Sequence, residues 1–286
     1  MSPRLRSVIP SVAALAALVE RWAFGHAWGD AGRLTSVFYY GDARRFVEYA
    51  LAILAGRTFD NGIPFHPPGW PLLLAAALAP TGAASPDHAT VTLVVRLLLA
   101  SLSAGAVGLS VWLAGEVAGT WAMLAAALLA PFHFAHLVQA SAADSEVLYG
   151  VLLLLVILSA RRWLRGVQPL RDALLTGAIG GLTMLVRAEF LAAQLSVMAL
   201  WFVWRRERRV ELAAFLAAWT LVLVPTTVWH ARSLSAFNDA HRGRVAGAIP
   251  VFAPVTSYGP FNFAMANHAE AEGGPNNDHP MLESCT

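Results

Sequence analysis

The chain has 286 residues, of which 57% are hydrophobic and only 13% charged, against about 45–50% and about 25% in an ordinary soluble protein. So little charge cannot clothe a soluble surface, and lipid must cover part of it. The net charge of +2 rests on twenty arginines and no lysine, and the lone Cys285 excludes a disulfide scaffold and cysteine-based metal sites.

Seven apolar stretches approach the 17–25 residues or so needed to cross a hydrocarbon core of about 30 Å. The first, 7–24, follows Arg4 and Arg6 and is flawed by Glu20 and Arg21 near its end. Its basic start also suits a signal peptide, but the run continues past cleavage length without a small-residue site. A long stretch, 25–90, rich in Gly, Pro, aromatic and polar residues, comes next. Within it Phe46, Ala50, Ile53 and Leu54 recur at i, i+4, i+7 and i+8. Arg45, Glu48 and Tyr49 fall on a more polar face and Gly56 supplies a stop, which predicts an amphipathic surface helix. Residues 64–71, with four prolines, fix an extended backbone ahead of an apolar helix at 72–79.

The second span, 91–114, contains Arg96, and the third, 120–139, is interrupted by Pro131. The fourth, 147–160, is short. The fifth and sixth, 173–185 and 190–204, part at Val186-Arg187-Ala188-Glu189, with one long tilted helix as the alternative. The seventh is 210–229, and the tail beyond Glu270 is polar and expected to be poorly ordered. The division that follows is a membrane domain, 1–230, and an outer tail, 231–286.

Arginine placement orients this array. With the N-terminus inside, inner loops 1–6, 115–119, 161–172 and 205–209 hold ten arginines. The much longer outer segments hold eight, the density contrast of the positive-inside rule. Net charge is then +7 on the inner side and −5 on the outer, so the basic pI of 9.0 reports orientation and gives no reason to expect nucleic acid. The expectation is an all-α, polytopic transmembrane helix bundle of about seven spans, with surface helices in a long first extracytoplasmic loop.

That loop carries the candidate chemistry. Asp42 suits an N-cap for the surface helix, or a carboxylate acting as general base on an acceptor hydroxyl at the membrane surface. Arg44 and Arg45 read as facing lipid headgroups. Arg187, between two apolar helices, needs a partner, and Glu189 is near in sequence. Glu146 complements a helix dipole, and Asp144 suits an N-cap. His133 and His136, spaced i, i+3, read as interfacial histidines, with a metal cluster shared with Glu146 as the alternative. Asn262 and Asn267 suit turns or contacts to sugar hydroxyls.

The order Gly41-Asp42-Ala43-Arg44-Arg45-Phe46, then Tyr49-Ala50, Gly56 and His66-Pro67-Pro68-Gly69-Trp70-Pro71 resembles the start of GT-C glycosyltransferases. The likeness is nearest the branch with protein O-mannosyltransferases, bacterial aminoarabinose transferase and RgtA/B/C/D-like enzymes. Ala143-Asp144-Ser145-Glu146, Leu185-Val186-Arg187-Ala188-Glu189 and Gly259-Pro260-Phe261-Asn262 extend it over nearly the whole chain. The resemblance implies inverting transfer of a sugar from a polyprenyl-phosphate donor to a glycan, lipid or protein acceptor on the extracytoplasmic face of the cell membrane. It implies Asp42 and Glu146 as catalytic carboxylates and His66 at a donor-phosphate position, and it favours Arg187 for the phosphate. Arg44, Arg45 and Arg232 are further candidates because they are outer-surface cations able to pair with phosphate oxygens. Tyr40, Asn262 and Asn267 would meet sugar or acceptor. No cofactor is expected, with divalent metal left open because the family differs in its need. Two departures stand out: His66 occupies a position often basic in relatives, and Ala43 stands where many have a second acid. Family members usually continue with more spans, so a truncated or inactive chain acting as a lipid-binding or partner subunit is the alternative.

Overall fold

The structure, a computed structural model, describes residues 3–30, 37, 42–57, 66–204, 206–240, 253, 255 and 256. Among these the chain is helical throughout, with no strand: α1 (Pro3–Asp30), α2 (Ala43–Leu54), α3 (Gly69–Leu78), α4 (Ala89–Leu129), α5 (Phe134–Gln139), α6 (Glu146–Arg165), α7 (Pro169–Val186), α8 (Phe190–Trp204) and α9 (Arg209–Ala240). Four helices are long and apolar enough to cross a membrane: Leu5–Ala27 within α1, and α4, α6 and α9. Their outward faces stay apolar. Val12, Leu15 and Val19 on α1 are 60%, 62% and 63% exposed, as suits helices set in lipid. This is a membrane protein.

The second and third predicted spans are two limbs of α4. At Gly119 the backbone takes φ 84° and ψ −168°, a left-handed conformation open chiefly to glycine. The chain reverses there: a Cβ on Gly115 would run into Met123, and Arg21 of α1 bonds both Ser103 Oγ (2.5 Å) and the Pro131 carbonyl (3.0 Å). Arg21, a flaw in the sequence pattern of span one, is therefore the buried tie between α1 and both limbs, with Glu20 at 3.2 Å. The third span also ends earlier than expected. The helix stops at Leu129, and Ala130–His133 make a turn before the short α5.

The stretches predicted as the fifth and sixth spans are separate helices. Helix α7 ends at Val186, Arg187 is extended (φ −144°, ψ 112°), and α8 begins at Phe190. Glycines on α7 let α9 approach closely, as small residues do between membrane helices. A Cβ on Gly177 would strike the Phe215 carbonyl, and one on Gly181 would lie 2.9 Å from Val222 Cβ. Helix α9 runs on to Ala240, so residues 231–240, expected in the tail, continue the helix of the last predicted span. Part of the tail returns: Val255 is buried with Met184, Leu185, Phe190 and Leu223.

An amphipathic helix forms over Ala43–Leu54, with Gly56 left-handed just past its end (φ 66°), but its apolar face meets protein where the sequence suggested the membrane surface. Its buried face is Ala43, Phe46, Val47, Ala50 and Leu51, slightly rotated from the expected stripe, since Leu54 is 43% exposed. This face packs in one core with Trp70, Leu74 and Leu78 of α3, Val91, Val95 and Leu99 of α4, and Ala143, Val147 and Val186. The surface helix is thereby bolted to one end of the bundle.

Candidate active site

That core fixes the segments that carry the polar groups above it. Trp70 Nε1 donates to the Ala143 carbonyl (2.8 Å), and the Ala143 amide donates to the Val37 carbonyl (2.8 Å). Gly69 presses on the end of α7, where a Cβ would come within 2.6 Å of the Leu185 oxygen. Any larger residue at 69 would push the His66-to-Trp70 segment away from Arg187. Three distant stretches, around 66–70, 143–146 and 185–187, thus meet at one end of the bundle.

Asp42 occupies the N-cap position of α2, but its side chain makes no cap hydrogen bond. The backbone carbonyl takes the first helical bond, from Phe46 N at 2.9 Å, and the carboxylate turns elsewhere. Its Oδ2 lies 3.5 Å from His66 Nε2. His66 is buried, at 5% exposure, its ring edge-on to Phe46 (5.6 Å between centroids) and its Nδ1 3.2 Å from the Tyr49 hydroxyl. In a neutral ring, Nε2–H donates toward Asp42 while Nδ1 accepts from Tyr49. The His66 ring holds the Asp42 carboxyl below the usual carboxylate range, helped by the charge of Arg45 and opposed by partial burial.

Beside this pair stands a second one. Glu146, first residue of α6, receives Arg187 Nη1 at 2.6 Å, and Glu189 is 3.9 Å from Arg187 Nε. Both Glu146 and Arg187 are about two-thirds buried, at 33% and 34% side-chain exposure. The guanidinium lies 5.9 Å from the centroid of Tyr149. The other Glu146 oxygen is buried with no hydrogen-bond partner among the described residues.

Asp144 feels the charges of both pairs. The α6 N-cap position belongs to Ser145, so Asp144 is not the cap its sequence position suggested. Burial pushes its carboxyl up to about 6, with further upward pressure from the charges of Glu146 and Asp42. Crowding of like charge in partly dry surroundings is the pattern of a functional site. By sequence alone Asp144 suits a cap better than a site role, and nothing singles out Tyr49 on its polar helix face. Only the hairpin of loop and bundle brings them to His66 and Glu146.

The remaining expected ligands divide. Arg45 is exposed one turn from Asp42 and acts on it by charge. Arg44 does not face headgroups alone, since it grips Asp87 with both terminal nitrogens (3.0 Å each) and reaches Glu48 at 3.1 Å. Arg232 is exposed on α9 and makes no ion pair among the described residues. Tyr40, Asn262 and Asn267 lie outside the described residues. The His133 and His136 rings contact edge-on at 4.8 Å, at the turn that follows α4. Compared with known proteins, the chain matches no family model, no curated protein and no solved structure.

Proposed function

We propose that this chain is a GT-C-type glycosyltransferase that moves a sugar from a polyprenyl-phosphate donor to an acceptor hydroxyl on the extracytoplasmic side, with inversion. The observation that carries the reading is the Asp42 carboxylate, turned away from the helix amides that would ordinarily take it and onto His66, while Asp144 feels the charges of both Asp42 and the Glu146–Arg187 pair. Asp42 takes the acceptor proton as the acceptor oxygen attacks the anomeric carbon. The bond from that carbon to phosphate breaks on the opposite face, and the electron pair leaves with the polyprenyl phosphate. Arg187, a permanent cation with a planar fork, offsets the charge gained by the leaving phosphate. His66 adds to this when protonated, and Glu146 aims the guanidinium.

Seven crossings with a cytoplasmic N-terminus complete the proposal: α1, the two limbs of α4 with α5 prolonging the second, α6, α7, α8 and α9. The twenty residues of α6 rise about 30 Å. Glu146 at its start and Arg165 at its end therefore stand on opposite sides of a hydrocarbon core. Arg161, Arg162 and Arg208 gather with Arg165, which agrees with the positive-inside rule.

The test is transfer of radiolabelled sugar from polyprenyl-phosphate donors in membranes carrying the wild type, Asp42→Asn or Arg187→Ala. Transfer by the wild type that is lost in Asp42→Asn supports the reading. Wild-type transfer that survives in Asp42→Asn removes the base assignment, and no transfer to any acceptor leaves a non-catalytic lipid-binding subunit as the better description.

A further inference from the structure

At the arginine-rich end, remote from the acid cluster, α4, α6 and α7 enclose a groove of about 460 Å³, within the size range of small-molecule sites. Each helix lines it with one stripe at i, i+3 and i+7: Leu109, Trp112 and Glu116 from α4, Leu155, Leu158 and Arg162 from α6, and Asp172, Leu175 and Ile179 from α7. Helices α4 and α6 run toward this end and α7 starts from it. All three stripes therefore place their charged residue at the rim and their apolar residues toward the middle of the bundle.

Charge at the rim is unevenly satisfied. Arg165 is taken by Glu116 at 2.6 Å. Arg162 is 3.3 Å from the buried Asp172, while its own side chain remains 58% exposed. Arg161 has no carboxylate in its direct contacts: Nη2 donates to the neutral carbonyl of Glu116 at 2.8 Å, and Nε is buried with no hydrogen-bond partner among the described residues. The rim thus carries three guanidinium groups against two carboxylates, above an apolar floor.

We propose that this groove is a binding site for an anionic membrane phospholipid. The phosphate sits on Arg161 and Arg162, and the first methylenes of an acyl chain lie along Leu158, Leu175 and Trp112. Guanidinium groups pair with phosphate oxygens through two parallel bonds, and basic pockets between membrane helices favour anionic headgroups. Free phosphate would use the rim alone and leave the apolar floor uncovered. Trp112, 52% exposed, stands where an amphipathic ring suits the level of a headgroup. The proposal does not depend on sugar transfer, which is assigned to the other end of the molecule.

The experiment uses the full chain purified in detergent and measures lipid retention by native mass spectrometry. Three probes are offered: phosphatidylglycerol, phosphatidylcholine with the same acyl chains, and inorganic phosphate. Phosphatidylglycerol is expected to be retained roughly tenfold or more above phosphatidylcholine, and millimolar phosphate should fail to displace it. The double variant Arg161→Gln/Arg162→Gln should bring phosphatidylglycerol down to the level of phosphatidylcholine. Leu175→Trp fills the floor without touching charge and should lower phosphatidylglycerol retention at an unchanged lipid-free melting temperature. It keeps the test open where the double variant fails to fold. Equal retention of the two lipids, retention unchanged in either folded variant, or displacement by phosphate would overturn the site.

Discussion

Helix α6 begins in a carboxylate and ends in arginines, and its two ends use charge differently. At the arginine end most charges act as struts, the exceptions being Arg161 Nε and Asp172 Oδ1 at the groove, which have no hydrogen-bond partner among the described residues. Glu211 accepts from Trp163 Nε1 and from Arg208, Arg208 also reaches the Trp163 carbonyl, and Arg165 meets Glu116 at 2.6 Å. These bonds tie α4, α6 and α9 together. At the acid end the pairings are incomplete: Asp42 declines its cap, one oxygen of Glu146 has no hydrogen-bond partner among the described residues, and Asp144 is pushed upward. A scaffold tends to consume its polar groups, whereas local rules are broken where function needs them broken. The contrast teaches where to look for chemistry in a bundle that has charge at both ends.

Two substitutions at the acid end should separate the ends most strongly. Asp42→Asn should lower transfer by roughly 10²–10⁴-fold, the range for loss of a general base, with little change in melting temperature because no cap bond is lost. A melting temperature that falls as far as activity would make Asp42 a structural residue. Arg187→Ala should lower transfer by roughly 10²-fold, as when a group stabilising developing negative charge is removed. Arg187→Lys should recover part of the loss, since charge returns without the planar fork. If Lys and Ala variants turn over donor equally slowly, the guanidinium serves only to hold Glu146.

A third prediction turns on pH. Folding raises the Asp144 carboxyl from 3.8 to about 6, so the folded chain keeps this proton where the unfolded chain has released it. Stability from this group therefore falls as pH rises from 3.8 to about 6, and the penalty is complete above that. Asp144→Asn should raise the melting temperature relative to wild type above pH 6 or so, and the gain should vanish below 3.8. Melting curves at both extremes decide it. An equal change at both would mean that the side chain acts by shape and hydrogen bonding, not by its buried charge.

Much of the frame was legible in the residues because helix and membrane patterns are local. The stop at Gly56, the break at Arg187 and the arginine-rich loops all follow from spacing and composition within a few residues. What escaped was long-range. Nothing near Arg21 in sequence announces Ser103 and Pro131 as its partners, so a tie between three segments read as a flaw in one. Asp144 suits a cap by sequence, yet the N-cap position falls to Ser145, whose side chain makes no cap bond; where α6 starts depends on how the turn lies against Val37 and Trp70. Among the candidate residues, Asp42, Glu146 and Arg187 stand out by residue type and position and His66 by family resemblance, and Gly69, packed on Leu185, helps bring their segments to one end. The continuation of α9 to Ala240 was hidden because helicity persists after hydropathy falls.

The smallest expected effect lies at the arginine end. Arg208 is 26% exposed and Glu211 17%, and their 3.4 Å contact spans a single helical turn. Arg208→Ala removes that contact and a 3.4 Å bond to the Trp163 carbonyl. Glu211 keeps Trp163 Nε1 as a donor, so its carboxylate is not stranded. Partly exposed pairs of this kind contribute about 0–1 kcal/mol, and the variant should melt only a few degrees lower, with a smaller deficit in high salt because the surviving attraction is screened. Its kcat/KM for sugar transfer should match the wild type, since α6 carries the perturbation about 30 Å from Glu146. A transfer rate that drops with this strut would mean that the two ends of α6 are coupled, and that the division between scaffold and site is too sharp.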